Sequence, residues 1–329
     1  MKNPPKLDSP RQTALLAVLL LAVVSAVAIA TLTTPEVGAA PQPEETPSAI
    51  TGGGVVTWND VDKLISEQKF EAASQAVAAI RERARADGDA AEWTRALVEE
   101  TKLRMALHGY ETAVRFLRAE PWPEEALSRA VLELYYANSL ATYARSYSWE
   151  IRQRERVQTS GELELEKWDL EQIVEEADRA FLAVWSAREK WGNESLGEFS
   201  RYIQQNSYPS RIRGSLRDAV TYIWIELLVD SSLWSPAESN GIFRLDADAL
   251  IDGDPRGSAG LDLADPSVHP LLKIGALLDD LEDWHRAAGR SESALEARLE
   301  RLRQLHGSFD VEEDKLATVS YTHLRAHET

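Results

Sequence analysis

Ala219-Val-Thr-Tyr-Ile-Trp-Ile-Glu-Leu-Leu-Val229 contains only two polar side chains, Thr221 and Glu226, so as a helix it has almost no wet face. A surface helix keeps a polar side, and a helix apolar all round is buried. The stretch therefore predicts a helix over 212–229 at the centre of the second half of the chain. A membrane span is the rival reading, but crossing a bilayer takes about 20 residues and this run is too short. The residues leading into it, Tyr208-Pro-Ser-Arg-Ile-Arg-Gly-Ser-Leu-Arg-Asp218, bring together Arg211, Arg213 and Arg217. In an acid-rich chain these read as internal partners of carboxylates that fix the start of the helix. Arg213 and Arg217, spaced i and i+4, would share one face. Binding of an anionic ligand is the other reading of this cluster.

Working outward, the pattern stays helical. Asp60 is placed to cap a first helix through Ile65, and 70–86 shows Ala72, Ala73, Ala76, Val77 and Ile80 on one side. Asp87-Gly-Asp89 is a turn. Trp93, Ala96, Leu97, Leu103, Ala106 and Leu107 follow an i, i+3, i+4 pattern that His108-Gly109 interrupts. A short helix over 110–119 ends at Pro121 and Pro123, and a long one runs from about 124 towards 156. After a connector at 157–167, Asp169 caps a helix carrying Leu170, Ile173, Val174, Ala177, Phe181 and Trp185, which Gly192-Asn193 closes. Another helix is expected over 196–205. Downstream, 246–267 reads as a loop rich in Asp, Gly and Pro, and two amphipathic helices follow over 270–288 and 291–306. No segment alternates like a strand, so the expected fold is all-α over 57–315.

Gln68-Lys-Phe70-Glu-Ala-Ala73 resembles His108-Gly-Tyr110-Glu-Thr-Ala113, each opening a helix after a corner. The spacing falls in the range of helical-hairpin repeats. It predicts partly tetratricopeptide-like hairpins packed as an irregular solenoid, or alternatively an irregular bundle. The expected organisation is a signal or anchor at 1–32, a Pro- and Gly-rich linker at 33–56, tetratricopeptide-like hairpins at 57–160, a second helical region at 161–315 and a tail at 316–329.

The chain has 329 residues, 54 acidic and 36 basic side chains, a net charge of −18, 10 Trp and no Cys. Its apolar share of 44% suits a globular body rather than disorder. The negative charge argues against nucleic acid as a partner. Without Cys there is no disulfide framework, thiolate metal site or thiol nucleophile. The segment 13–32 holds no charge and is preceded by Lys2, Lys6 and Arg11. That flank stays in the cytoplasm, so the body is expected in the periplasm or otherwise outside the cytoplasm. The segment reads either as an uncleaved inner-membrane anchor or as a signal removed near Val37-Gly38-Ala39.

Motifs for chemistry are few. The six His, at 108, 269, 285, 306, 323 and 327, show no zinc spacing, and Gly52-Gly-Gly54 lacks the context of a phosphate loop. No nucleophile elbow or dinucleotide fingerprint occurs. Asp246, Asp248, Asp252 and Asp254 depart from calcium-loop spacing and read as a solvated acidic loop. Asp279, Asp280, Glu282 and Asp283 read as the wet face of an amphipathic helix rather than a glycosidase pair. The expectation is a protein that is not an enzyme, with no catalytic, cofactor-binding or metal-binding residue and no cofactor.

Three stretches carry a family resemblance: Glu166-Lys-Trp-Asp-Leu-Glu-Gln-Ile173, Tyr208-Pro-Ser-Arg-Ile-Arg-Gly-Ser-Leu-Arg-Asp-Ala-Val220, and Ser232-Leu-Trp-Ser-Pro-Ala-Glu-Ser-Asn240 with Phe243-Arg-Leu245. Together, over about 58–310, they resemble the N-terminal helical region of large bacterial alpha-2-macroglobulin-like envelope proteins. The resemblance implies a scaffold or spacer within an endopeptidase inhibitor that traps proteases, without its bait or thioester parts, since a thioester needs Cys. Its partners would be proteins: proteases through downstream domains, and other envelope proteins. The membrane is a further partner through 13–32 if uncleaved. The rival is a stand-alone periplasmic helical-repeat adaptor. The last stretch, Val319-Ser-Tyr-Thr-His-Leu-Arg-Ala-His-Glu-Thr329, resembles a translated sequencing adapter, which sets the expectation of a fragment.

Overall fold

The computed structural model describes residues 55–156, 164–245, 250 and 261–308. The fold is all-α: the described residues form eleven α-helices and no strand. They fall into two compact units, 55–113 and 114–308. No helix among them is long and apolar enough to cross a membrane, and the expected span at 13–32 lies outside the described residues.

The first unit holds α1 (Trp58–Ser66), α2 (Phe70–Asp87) and most of α3 (Ala90–Ala119). Thr57, not Asp60, is the capping position of α1. Asp60 sits one turn in, where its carboxylate accepts the Thr57 backbone N–H at 2.8 Å and hydroxyl at 2.7 Å. That is the reciprocal arrangement of a capping box. Val61, Ala73, Ala76, Val77, Ile80, Ala96 and Leu103 form the core, with Phe70 and Trp58 packed against it. The Arg95 guanidinium lies 3.7 Å over the Trp58 ring. Glu100, 1% exposed, is held by Arg104 at 2.7 Å and Arg81 at 3.3 Å. α3 breaks at Gly109, where φ 84 and ψ 173 lie in a region essentially reserved for glycine. The two look-alike segments share a helix opening but differ in their corners. The first turns with Gln68 at φ 59, the second with Gly109.

The second unit contains α4 (Ala126–Ser146), α5 (Ser148–Ile151), α6 (Leu170–Ser186), α7 (Arg188–Trp191), α8 (Leu216–Leu228), α9 (Pro236–Gly241), α10 (Pro270–Ala287) and α11 (Ser291–Ser308). α4 and α6, on either side of the expected division at 160, lie side by side, and α10 and α11 form a hairpin. α8 touches α6, α10, α4 and α7, and every α8 residue except Glu226 is buried. The apolar stretch is thus the centre of this unit.

Several element boundaries differ from expectation. The long helix over 124–156 divides at Tyr147, whose φ −117 and ψ 17 separate α4 from α5. The helix expected over 196–205 is only a 3₁₀ turn at Leu196–Phe199: the Leu196 carbonyl accepts the Gln205 side-chain amide at 3.0 Å rather than the Ser200 N–H, which goes to Gly197. α8 starts at Leu216 rather than 212. Ile212 and Arg213 both donate their N–H to the Pro209 carbonyl, and Ser215 caps the helix with Asp218 in a capping box. Arg213 therefore precedes the helix and does not share a helical face with Arg217. Most of 157–167 and 246–267 lies outside the described residues, including Asp246, Asp248, Asp252 and Asp254.

The expected wet face of α10 is another correction. Asp279 pairs with Arg301, and Asp280 accepts from Arg188 at 2.8 Å and Arg217 at 2.7 Å. Glu282, 6% exposed in its side chain, pairs with Arg286 and Arg298, which leaves Asp283 as the solvated member. Periodicity separates polar from apolar but does not reveal that an arginine on a neighbouring helix takes up the polar side.

Two tests follow from this geometry. A Cβ at Gly214 would lie 1.7 Å from the Ser210 carbonyl oxygen, a backbone atom, whereas one at Gly307 meets nothing within 4 Å. Gly214→Ala should cost on the order of 3 kcal/mol in thermal or denaturant unfolding. Gly307→Ala, at an unobstructed helical position, should be neutral or stabilise by about 0.5 kcal/mol. The second concerns Glu226. Burial, opposed by Arg145 and reinforced by Glu300, raises its carboxyl from 4.5 to about 7. A raised carboxyl stabilises the fold while protonated, so its contribution is complete below pH 4.5 and is lost as pH rises through about 7. Glu226→Gln should therefore raise Tm more at pH 8 than at pH 5, corresponding to as much as about 3 kcal/mol. Equal shifts at both pH values would contradict the assignment.

Candidate functional site: a cleft beside the buried helix

A cleft of about 1120 Å³ opens in the second unit, among α6, the end of α8, the segment 231–245 and the start of α10. Its floor is a three-helix junction. Lys273, in the first turn of α10 and 5% exposed in its side chain, places Nζ 2.6 Å from Asp178 Oδ2 on α6. The other Asp178 oxygen accepts the Trp224 indole N–H of α8 at 2.6 Å. A buried ammonium is tolerable because a carboxylate faces it.

One side is built by His269 and α9. His269 caps α10: its Nδ1 accepts the Leu271 N–H at 3.1 Å, so the proton belongs on Nε2, which donates to the Glu238 carbonyl at 2.9 Å. Burial holds this imidazole below its ordinary 6.5, with the Glu238 carbonyl opposing. Trp234 meets His269 edge-on at 5.2 Å between centroids and donates its indole N–H to the Leu228 carbonyl at 2.8 Å. α9 exists because Ser235 caps it with Glu238 and Pro236 occupies the first turn. Leu170, Val174, Leu227, Leu228 and Leu272 give the cleft its apolar lining. Lys273 and His269 are both engaged by the protein's own groups.

The arginine cluster flanking α8 pairs internally, as the bland reading of the sequence expects. Arg211 reaches Glu292 at 2.6 Å. Arg213, 3% exposed, pairs with Glu296 at 2.6 Å and Glu300 at 2.8 Å, between the rings of Tyr208 and Tyr222. Arg217, equally buried, pairs with Glu189 at 2.8 Å and Asp280 at 2.7 Å.

The structure also brings together Ser215, Asp218 and His285. The Ser215 hydroxyl donates to Asp218 Oδ2 at 2.7 Å and His285 Nε2 lies 2.7 Å from Asp218 Oδ1. Serine and histidine thus share one carboxylate and do not bond each other, and the carboxylate and imidazole are each 2% exposed. Nucleophilic catalysis needs a serine hydroxyl on the histidine, so this group is a helix cap that grips α10. Among the described residues no cluster of three or more His, Asp or Glu is placed to hold a metal ion.

Sequence reasoning missed the cleft. Its best available signal was Ser235-Pro-Ala-Glu238, a capping box with proline at the first helical position that announces α9. No protein-family model, curated protein or solved structure matches this chain.

The Lys273–Asp178 pair is open to direct test. Lys273→Met leaves the half-buried Asp178 without its cation and should cost about 2 kcal/mol in urea unfolding. Adding Asp178→Asn should recover most of that loss. A double variant no more stable than the single one would show that the pair does not bind α6 to α10.

Proposed function

We propose that this chain is a non-catalytic helical scaffold of a bacterial cell envelope, the N-terminal spacer part of an alpha-2-macroglobulin-like endopeptidase inhibitor. One observation carries the reading: two of the three family-like stretches wall one cleft. Glu166–Ile173 starts α6 and Ser232–Leu245 forms α9 and its flanks, so both supply cleft walls. Tyr208–Val220 sets the start of α8, whose far end closes the cleft. Two separated pieces that wall one cleft, with the third at the other end of the helix that closes it, are what a shared module would give. The charged 1–12 flank and apolar 13–32 support placement of the body outside the cytoplasm. The cleft equally favours the second reading, a stand-alone periplasmic adaptor that binds protein segments.

Two measurements test the spacer reading. In the spacer reading, the purified full chain leaves trypsin hydrolysis of casein unchanged, and the gene continues past codon 318 into β-sandwich domains. A stop codon at that point rejects the spacer reading and leaves the adaptor, whereas inhibition of trypsin by the chain alone would overturn the view that the trapping parts lie downstream.

A further inference from the structure

We infer that His269 is an acid-sensitive latch on the cleft: as a neutral imidazole it fastens α9 to the start of α10, and protonation releases that wall. The device lies in the wall itself, whatever the cleft receives, and so goes beyond both readings above. Each nitrogen of its buried ring is committed to one role.

Pro270, the first residue of α10, has no N–H, so Leu271 carries the first free donor of that helix. Leu271 is fully buried, and its N–H goes to His269 Nδ1 at 3.1 Å. Nε2 therefore holds the proton and donates to the Glu238 carbonyl of α9 at 2.9 Å. A second proton would go to Nδ1 and set one N–H against another. The Leu271 N–H would lose its acceptor where water does not reach, and an unpaired buried donor is costly. The new charge would also sit at the positive end of the α10 dipole. Turning the ring in place gives no relief. Trp234 meets it edge-on at 5.2 Å, and a Cβ at Gly241, the last residue of α9, would lie 3.1 Å from its Cδ2. A ring that swings to free Nδ1 therefore lets go of the Glu238 carbonyl and presses on α9.

The charged groups around the ring are mostly committed elsewhere. On α10, Lys273 lies one turn on and pairs with Asp178 of α6 at 2.6 Å. On α9, the Glu238 carboxylate favours a charged ring but accepts the Ser235 N–H at 2.7 Å. Asp265, ahead of His269, accepts from Ser267 at 2.7 Å. On the α6 side Asp169 caps its helix, and Glu171 and Glu175 hold Arg156. Arg152, Arg154 and Arg244 also line the cleft, and positive charge opposes another cation. Burial outweighs Glu238 and holds the imidazole below its ordinary 6.5. The fold prefers the neutral ring, so the latch contributes fully above pH 6.5 and is lost progressively as pH falls below it. Glu226 runs the other way, its contribution being complete in acid, and does not mimic this loss.

The test is an NMR titration of the full chain with nitrogen-labelled histidine, from about pH 8 to about pH 5, with the ring signals assigned through the backbone. At the alkaline end Nδ1 should show the shift of an unprotonated acceptor and Nε2 that of an N–H, and the ring should titrate below 6.5. Amide exchange, corrected for its intrinsic pH dependence, reads the wall. Leu271 and Ser239, whose N–H bonds the Ser235 carbonyl within α9, should each lose at least about tenfold in protection between about pH 7.5 and about pH 5. His269→Asn supplies a side-chain oxygen that caps without titrating, so it should keep Leu271 protected at both pH values. A proton on Nδ1 at alkaline pH, or a ring titrating at or above 6.5, would overturn the inference on the unaltered chain alone. So would protection that stays constant in the unaltered chain, or that falls equally in His269→Asn. None of these outcomes bears on the trypsin assay or the gene, so the spacer reading stands or falls separately.

Discussion

The second unit depends on getting an apolar helix into the interior with its charged N-terminal end. α8 brings Arg217 and Asp218 with it, and Arg213 sits just ahead, all nearly inaccessible to water. An unpaired buried charge costs several kcal/mol, so each must find an answering group. Asp218 takes the Ser215 N–H and hydroxyl and His285; Arg217 takes Glu189 and Asp280; Arg213 takes Glu296 and Glu300. The partners come from α7, α10 and α11, so compensating one helix start fixes where three other helices lie. The acidic excess of the chain has a structural use here: carboxylates line the helices that surround buried arginines.

The parts of the fold legible in the sequence were those written in local pattern. The apolar run 219–229 announced a buried centre, and the periodic stretches of α2, α6, α10 and α11 announced helices. Gly88 and Asp169 marked a stop and a start through turn and cap chemistry that reads over a few residues. Legibility failed where a backbone group found a distant partner. The Leu196 N–H bonds Gly214 and its carbonyl takes the Gln205 side chain instead of the Ser200 N–H that an α-helix would put there. The polar side of α10 failed for the same reason, because Arg188 and Arg217 lie far from Asp280 in sequence. The cleft was the least legible feature. Its floor joins Asp178, Trp224 and Lys273, and one side rests on a bond from an imidazole to a backbone carbonyl, which leaves no residue-type signature.

The cleft and the α8 core are one construction. Trp224, fully buried, stacks on Phe181 and meets Trp185 edge-on, while its indole N–H reaches out to Asp178 at the cleft floor. The aromatic cluster thereby orients Asp178, Asp178 holds Lys273, and Lys273 fixes the first turn of α10 that His269 caps. Here the floor sits on three helices, whereas the side bearing Arg244 and Phe243 belongs to short turns.

The arginines also set the register of α11. Arg211 pairs with Glu292 while Arg213 grips Glu296 and Glu300, so two adjacent arginines read a stripe of three glutamates spaced i, i+4, i+8. Sliding α11 one turn in one direction would bring Gln304 to Arg213 in place of a glutamate. Sliding it the other way would bring Ala288 to Arg211. Either slip leaves a guanidinium short of a carboxylate, and for Arg213 that guanidinium is buried. Buried ion pairs add little to stability compared with well-packed apolar residues, and their best-attested use is to exclude alternative registers. Buried Ala294, Ala297, Leu302 and Leu305 anchor α11 in its hairpin with α10, and the glutamate stripe adds discrimination between registers.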